Sequence, residues 1–318
     1  MQHWASVFTA VSLAAVLFQS ASANNILLTN DDGWAVALIR AQRDSLVNAG
    51  YNVILSAPTH DMSGTGSTSA TPQPLATPCE FNTCAIGSPA EGFNASDTRL
   101  NYVNSYPVDA ARYGIQTLSQ EVFCSPPVLV VSGPNVGNIL GVGTQESGTV
   151  GAAAEATKEG IPSISFAAGT AAGVSYTTLT TQPNSRDTVS ARLYADLSTN
   201  FTRTVLAPSL RPILPAGVTL KVNYSPTTFT AAGKPAGKCS RLSDFTWVLT
   251  RTQPTTSSTD VGSCGTYRLP VEAKVVSGGC YAAVTVVNAT TKLDVSGAVQ
   301  LEVLNRLAPS RIFGCFHG

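Results

Sequence analysis

Two short apolar runs flank one stretch of helical periodicity near the start of the chain, and this constrains the fold more than any other feature. Residues 25–29 (NILLT) and 52–56 (NVILS) each have strand length. Between them, residues 35–49 place Leu38, Ile39, Leu46 and Val47 on one helical face, and Gly50 stops the run. Strand, helix, strand in this order predicts two parallel strands joined by a right-handed crossover. The pattern recurs. Residues 108–118 read as a helix, 127–132 (PVLVVS) as a strand, 147–159 as a helix stopped at Gly160-Ile161-Pro162, and 163–167 (SISFA) as a strand. Alternation of this kind predicts an α/β fold with an open, doubly wound, mostly parallel sheet.

Beyond residue 170 the pattern loosens. Residues 187–206 read as a helix and 218–224 as a strand, and 234–260 holds hairpin-like and loop-like pieces. Residues 61–98 read as a loop rich in Ser, Thr, Pro and Gly. The reading is one large domain over 24–318, with a core at about 25–225 and a β-rich, disulfide-bearing extension at about 226–318. Residues 1–23 read as a leader. Val7 to Phe18 is apolar but too short to span a bilayer, and Ala21-Ser22-Ala23 is an A-x-A cleavage pattern. A buried N-terminal helix is the alternative there.

The cysteines and sequons agree with a secreted protein. The chain has seven cysteines, none in C-x-x-C and none near a His at zinc spacing, so disulfides are the expectation. Cys79 and Cys84 sit close enough to close a small ring. Cys239, Cys264, Cys280 and Cys315 make two bridges in an order the spacing leaves open, and Cys124 is left unpaired. Asn94, Asn200, Asn223 and Asn288 head N-x-[ST] sequons and are candidate glycosylation sites. Lys plus Arg and Asp plus Glu both number 19, so no basic field marks the chain for a nucleic-acid polymer or an anionic membrane.

Ligands of open α/β sheets bind beyond the carboxyl ends of the strands, near the point where strand order reverses. Three strands lead into polar, glycine-containing loops: Asn30-Asp31-Asp32-Gly33, Asp61-Met62-Ser63-Gly64-Thr65-Gly66 and Gly133-Pro134-Asn135-Val136-Gly137-Asn138. Adjacent carboxylates repel unless a cation compensates, and Asp, Ser and Asn oxygens suit a hard divalent ion. A plain turn, with Asp32 capping the next helix, is the alternative. Glu146-Ser147-Gly148-Thr149 opens the 147–159 helix, and a helix start attracts anions, although Ser147 is also an ordinary cap. His60 is a candidate acid or base, set against a solvent-exposed loop histidine. G-x-S-x-G, P-loop, G-x-G-x-x-G and H-E-x-x-H patterns are absent, which argues against a serine esterase.

The stretch Asn25 to Gly33 (NILLTNDDG), Ala57-Pro58 with Ser63-Gly64-Thr65-Gly66-Ser67, Val131-Ser-Gly-Pro-Asn-Val-Gly137 and Ser147-Gly-Thr-Val-Gly151, in that order, resemble the survival protein SurE family. The resemblance is clear over about 25–170. It implies a Rossmann-like fold and a metal-dependent phosphatase acting on 5′- and 3′-nucleotides or on phosphomonoesters broadly. By the resemblance, Asp31, Asp32, Ser63 and Asn135 hold the metal, Mg²⁺ or Mn²⁺ with Ca²⁺ as a further candidate, and the two aspartates carry the catalysis. Asn138, Ser147, Gly148 and Thr149 surround the phosphate of a small phosphomonoester such as a nucleoside monophosphate. The family's carboxyl-terminal extension serves dimerisation, which implies a homodimer. A secreted binding protein of the same fold without turnover is the competing reading.

Overall fold

The computed structural model describes residues 24–207, 211–254 and 259–318. The leader expected at 1–23 therefore lies outside the described residues.

Among the described residues nine strands form one sheet: β1 (Asn25–Thr29), β2 (Asn52–Pro58), β3 (Glu91–Asn94), β4 (Asp97–Val103), β5 (Leu129–Val136), β6 (Ser163–Ala168), β7 (Val218–Tyr224), β8 (Thr246–Thr250) and β9 (Tyr281–Asn288). Their order is β3-β4-β2-β1-β5-β6-β7-β9-β8. Only β3 and β9 run antiparallel to their neighbours, β3 against β4 and β9 against β7, while β8 lies parallel to β9. The described helices are α1 (Ala37–Asn48), α2 (Pro107–Tyr113), α3 (Ser119–Phe123), α4 (Gly143–Glu146), α5 (Gly148–Lys158), α6 (Thr178–Thr181), α7 (Arg186–Leu206), α8 (Glu272–Ser277) and α9 (Gly297–Leu307).

Side chains alternate across the pleat, so each central strand feeds two cores. Ile26 and Leu28 join Ile39 and Leu46 of α1 and Leu197 and Phe201 of α7. Leu27 points the other way, to Ile115, Leu118 and Ala156. The expected elements of the first half are present to within two residues at most ends. The 108–118 helix is the exception: α2 gives way to a π-helical turn at Gly114–Leu118.

Two expectations change. The 61–98 loop ends in a β3–β4 hairpin, and β4 pairs parallel with β2, Leu55 facing Leu100 and Pro58 facing Val103. The 234–260 region contributes one strand, β8, and the chain then returns through β9 into the same sheet. The extension therefore completes the central sheet and adds α8 and α9. Three disulfides form, Cys79–Cys84, Cys239–Cys280 and Cys264–Cys315, with Cys124 free and exposed. No helix among the described residues is long and apolar enough to cross a membrane.

Candidate active site

Strand order reverses between β1 and β5: β1 continues to β2 on one side and neighbours β5 on the other, with Thr29 opposite Ser132. Asp31 and Asp32 leave β1 at this point, and Asn135 sits at the end of β5. The Asn30 amide closes the β1 turn, donating to the Gly33 carbonyl (3.0 Å) and accepting from the Gly33 N–H (3.3 Å). At Gly133 the chain has φ +97°, and a Cβ there would strike the Phe166 carbonyl, so glycine is required for β5 to bend beside β6.

Asp31 lines a cleft of about 330 Å³ with Ser63, Gly64, Asn135, Asn138, Ile139, Glu146 and Ser147. The Met62 N–H donates to the Asp31 carbonyl (2.7 Å) and the Gly66 N–H to the Glu146 carbonyl (2.8 Å), which docks the Ser63 loop onto the other two. Ser63 turns its N–H (2.8 Å) and hydroxyl (2.6 Å) to Asp61 Oδ1. Asp32 is buried behind the cleft, where both its oxygens accept the Val136 N–H (3.2 and 3.1 Å).

Thr149 departs from its expected place at the phosphate. It is fully buried, and its hydroxyl donates to Asp31 Oδ1 and lies 3.1 Å from Asn135 Oδ1. The Thr149 N–H also supports Asp31. The carboxylate at the start of α5 is that of Asp31, held there by the Thr149 N–H and hydroxyl. Gly148 is the residue that permits this contact: a Cβ there would come within 2.9 Å of both Asp31 Cβ and Pro107 Cγ. Ser147 caps α5, its Oγ accepting the Val150 N–H (3.2 Å), and also lines the cleft. Asn138 reaches the same cleft, and its side-chain oxygen is buried without a hydrogen-bond partner.

Burial pushes the Asp31 carboxyl up from the usual range, against the opposing pull of the Thr149 donors. Burial pushes Asp32 up further, with the Asp31 charge adding to it. Neither carboxylate has an ion-pair partner among the described residues. No three His, Cys, Asp or Glu side chains gather into a metal-holding group among the described residues. A cation here would depend on two carboxylates completed by neutral oxygens. Two uncompensated buried carboxylates, the unpaired Asn138 oxygen and the Asn135 and Ser63 side chains make a hard, oxygen-rich donor set that fits such a cation.

His60 takes no place at the cleft. Its Nε2 lies 2.7 Å from the Pro78 carbonyl and its Nδ1 2.9 Å from Thr59 Oγ1, so both ring nitrogens are engaged in holding a loop. Among the sequons, Asn223 is corrected. It is 0% exposed, accepts the Ile139 N–H (2.8 Å) and donates to the Ile139 carbonyl (2.9 Å), which leaves no room for a glycan. Glu80 was not anticipated. The Cys79–Cys84 ring carries its carboxyl over Gly33, where it accepts the Ala35 N–H (2.8 Å), and burial raises its pKa to about 7. A lone Glu between two cysteines gives no sequence signal for this.

The family profile "Survival protein SurE" matches residues 26–247, most of the chain. The chain belongs to the SurE family. An acid phosphatase of Yarrowia lipolytica is 32% identical over 332 aligned positions, covering 93% of this chain and 89% of that protein. A 5′-nucleotidase SurE of Lawsonia intracellularis is 37% identical over 142 positions, 45% of this chain and 50% of that one. Matches to the bacterial SurE nucleotidases thus span about half of each protein. The crystal structure of SurE from Aquifex aeolicus shares the fold, with TM-score 0.57 at 22% identity, covering 88% of this chain and 98% of that one.

Proposed function

We propose that this SurE-family chain is a divalent-metal-dependent phosphatase of small phosphomonoesters, a nucleotidase or broad acid phosphatase. Nucleoside monophosphates are the first substrates to test. The observation that carries this reading is the burial of Asp31 and Asp32 side by side at the strand-order switch, without an ion-pair partner and beside an open cleft. The names of the relatives, acid phosphatase and 5′-nucleotidase, support the substrate class.

Asp31, Asp32, Asn135 and Ser63 would hold the cation. When bound, Mg²⁺ or Mn²⁺ supplies an activated water and neutralises phosphate charge. The remaining work belongs to the chain. Thr149 fixes the Asp31 oxygen, the Val136 N–H fixes Asp32, and Asp61 orients the Ser63 hydroxyl. Ser147 keeps its hydroxyl hydrogen to donate into the cleft, and the Asn138 amide faces the same space for a phosphate oxygen. The three disulfides, the leader at 1–23 and the remaining sequons Asn94, Asn200 and Asn288 support secretion.

The test is turnover of nucleoside monophosphates and p-nitrophenyl phosphate before and after chelation. EDTA should abolish activity and Mg²⁺ or Mn²⁺ should restore it. Full activity in protein shown metal-free by elemental analysis would remove the mechanism. No turnover under any cation would favour a binding protein.

A further inference from the structure

The cleft loop between β5 and α4 has no regular structure, yet its backbone groups are satisfied by side chains of β7 and α8, far along the chain. Asn223 of β7 accepts the Ile139 N–H (2.8 Å) and donates to the Ile139 carbonyl (2.9 Å), to which Lys221 Nζ also donates (3.1 Å). Glu272, the first residue of α8, accepts the Gly141 N–H (3.0 Å). Lys221 Nζ donates onward to Thr144 Oγ1 (2.5 Å) and to Glu272 Oε1 (2.7 Å). The second Glu272 oxygen accepts from Thr285 of β9 (3.1 Å) and Asn223 (3.3 Å). Lys221, Asn223, Glu272, Thr285 and Thr144 are all fully buried.

A buried ion pair is poor evidence for stability, because the desolvation of both charges offsets their attraction. This one has a geometric consequence. Its partners are the backbone groups on the carboxyl side of Asn138, and its reach ends at Thr144 where α4 leads into Ser147. Asn138 and Ser147 are the residues assigned above to the phosphate. We propose that Glu272, Lys221 and Asn223 are positioning residues that brace the 139–144 loop, so that β7 and the first residue of α8 together set the geometry of the phosphate subsite. This rests on the proposed function. The three residues touch backbone and each other, not substrate.

The experiment separates bracing from folding. Replacing the pair by apolar residues of similar volume, Lys221→Met with Glu272→Leu, removes the buried charges together and keeps the chain folded. It also removes the acceptor of Gly141 and one donor to Ile139. Hydrogen exchange should show the Gly141 amide protected in the wild type and fast in the double variant, with β5 and β6 amides protected in both. With p-nitrophenyl phosphate at saturating Mg²⁺, kcat should fall roughly 10- to 100-fold, as expected for slight misplacement of a binding group. KM should change less. Glu272→Gln, which keeps an oxygen for Gly141, should retain more kcat than Glu272→Ala. A double variant with wild-type kcat and KM overturns the positioning role while leaving the proposed function standing. A wild-type chain with no turnover overturns the proposed function and the positioning role with it. A Gly141 amide as protected in the double variant as in the wild type overturns the brace itself.

Discussion

The strands that carry the candidate cleft and the region that completes the sheet are held together by different means. From β1 to β6 the chain relies, apart from the antiparallel edge strand β3, on parallel strands, the central ones with apolar faces on both sides, and its disulfide closes a ring with a sequence separation of 5. From β7 onward the apolar faces continue through β7, β8 and β9, and bridges with separations of 41 and 51 and buried ion pairs that fix geometry are added to them. Lys221 pairs with Glu272, and Arg251 pairs with Asp260 (2.5 Å), which also accepts from Gln300 of α9 (3.0 Å). The first region carries the candidate cleft on loops that apolar strands can support. The second fixes where one of those loops lies. Removing a cleft side chain should therefore cost turnover and spare the fold, whereas removing a crosslink in the second region should cost stability first.

The largest effect belongs to Asp31. Asp31→Asn keeps the shape and removes one of two charges at the cleft, so kcat should fall by about 100- to 1,000-fold, with cation affinity weakened as well. Circular dichroism should show an unchanged fold. Asp32→Asn should also fall sharply, but Thr149→Val should lose less, because the Asp31 charge survives and only its orientation loosens. A folded Asp31→Asn protein with wild-type turnover at limiting metal would break the comparison at its first term.

The crosslinks come next. Urea denaturation of Cys239→Ser/Cys280→Ser and of Cys264→Ser/Cys315→Ser should each show a loss of about 4 kcal/mol, against about 2 kcal/mol for Cys79→Ser/Cys84→Ser, since loop entropy grows with the length enclosed. Equal losses from all three would mean that the long bridges do not hold the second region as argued.

This contrast also marks how far the sequence could be read. β1, β2, β5, β6 and β7 announce themselves because they are short apolar runs buried on both sides, and α1, α5 and α7 because their periodicity is long. β4 does not, because its first half (Asp97-Thr98-Arg99) lies toward the edge of the sheet and reads as loop. β8 and β9 are apolar runs as well, but they lie among cysteines and turns where the strand–helix alternation that marks the first half has ended. At the site, residue types and order located the loops but not the direction of individual side chains. Thr149 at a helix start looks the same whether its hydroxyl meets a phosphate or Asp31. Asn223 satisfies a three-residue sequon while its side chain faces the interior, since a sequon carries no information about burial. Glu80 and Glu272 depend wholly on contacts between distant segments.

The smallest expected effect tests whether the small ring at 79–84 acts on stability through Glu80. Burial raises the Glu80 pKa from 4.5 to about 7, so the folded state binds a proton that the unfolded state has released. Its contribution is fully present below about pH 4.5 and is lost as pH rises through about 7. In metal-free protein, Glu80→Gln should therefore gain stability relative to wild type between pH 5 and 8, by a modest amount because the group is partly exposed. Thermal melts across that range check it; parallel pH profiles for the two proteins would show that Glu80 is not the group responsible.

The position of β9 has a consequence for the order in which the molecule can be assembled during synthesis. β9 lies between β7 and β8, so β8 leaves the ribosome before the strand it pairs with exists. Until β9 emerges, β7 presents an open edge and β8 has no neighbour. Cys239 meets the same delay, because its partner Cys280 directly precedes β9. Domains begin to fold from the amino-terminal side as they are made, so the loops bearing Asp31 and Asn135 can take shape early. The brace on the Asn138 loop waits for Glu272, and a ribosome that stops short of β9 releases a chain with its ligand strands formed and an unpaired sheet edge exposed to other chains.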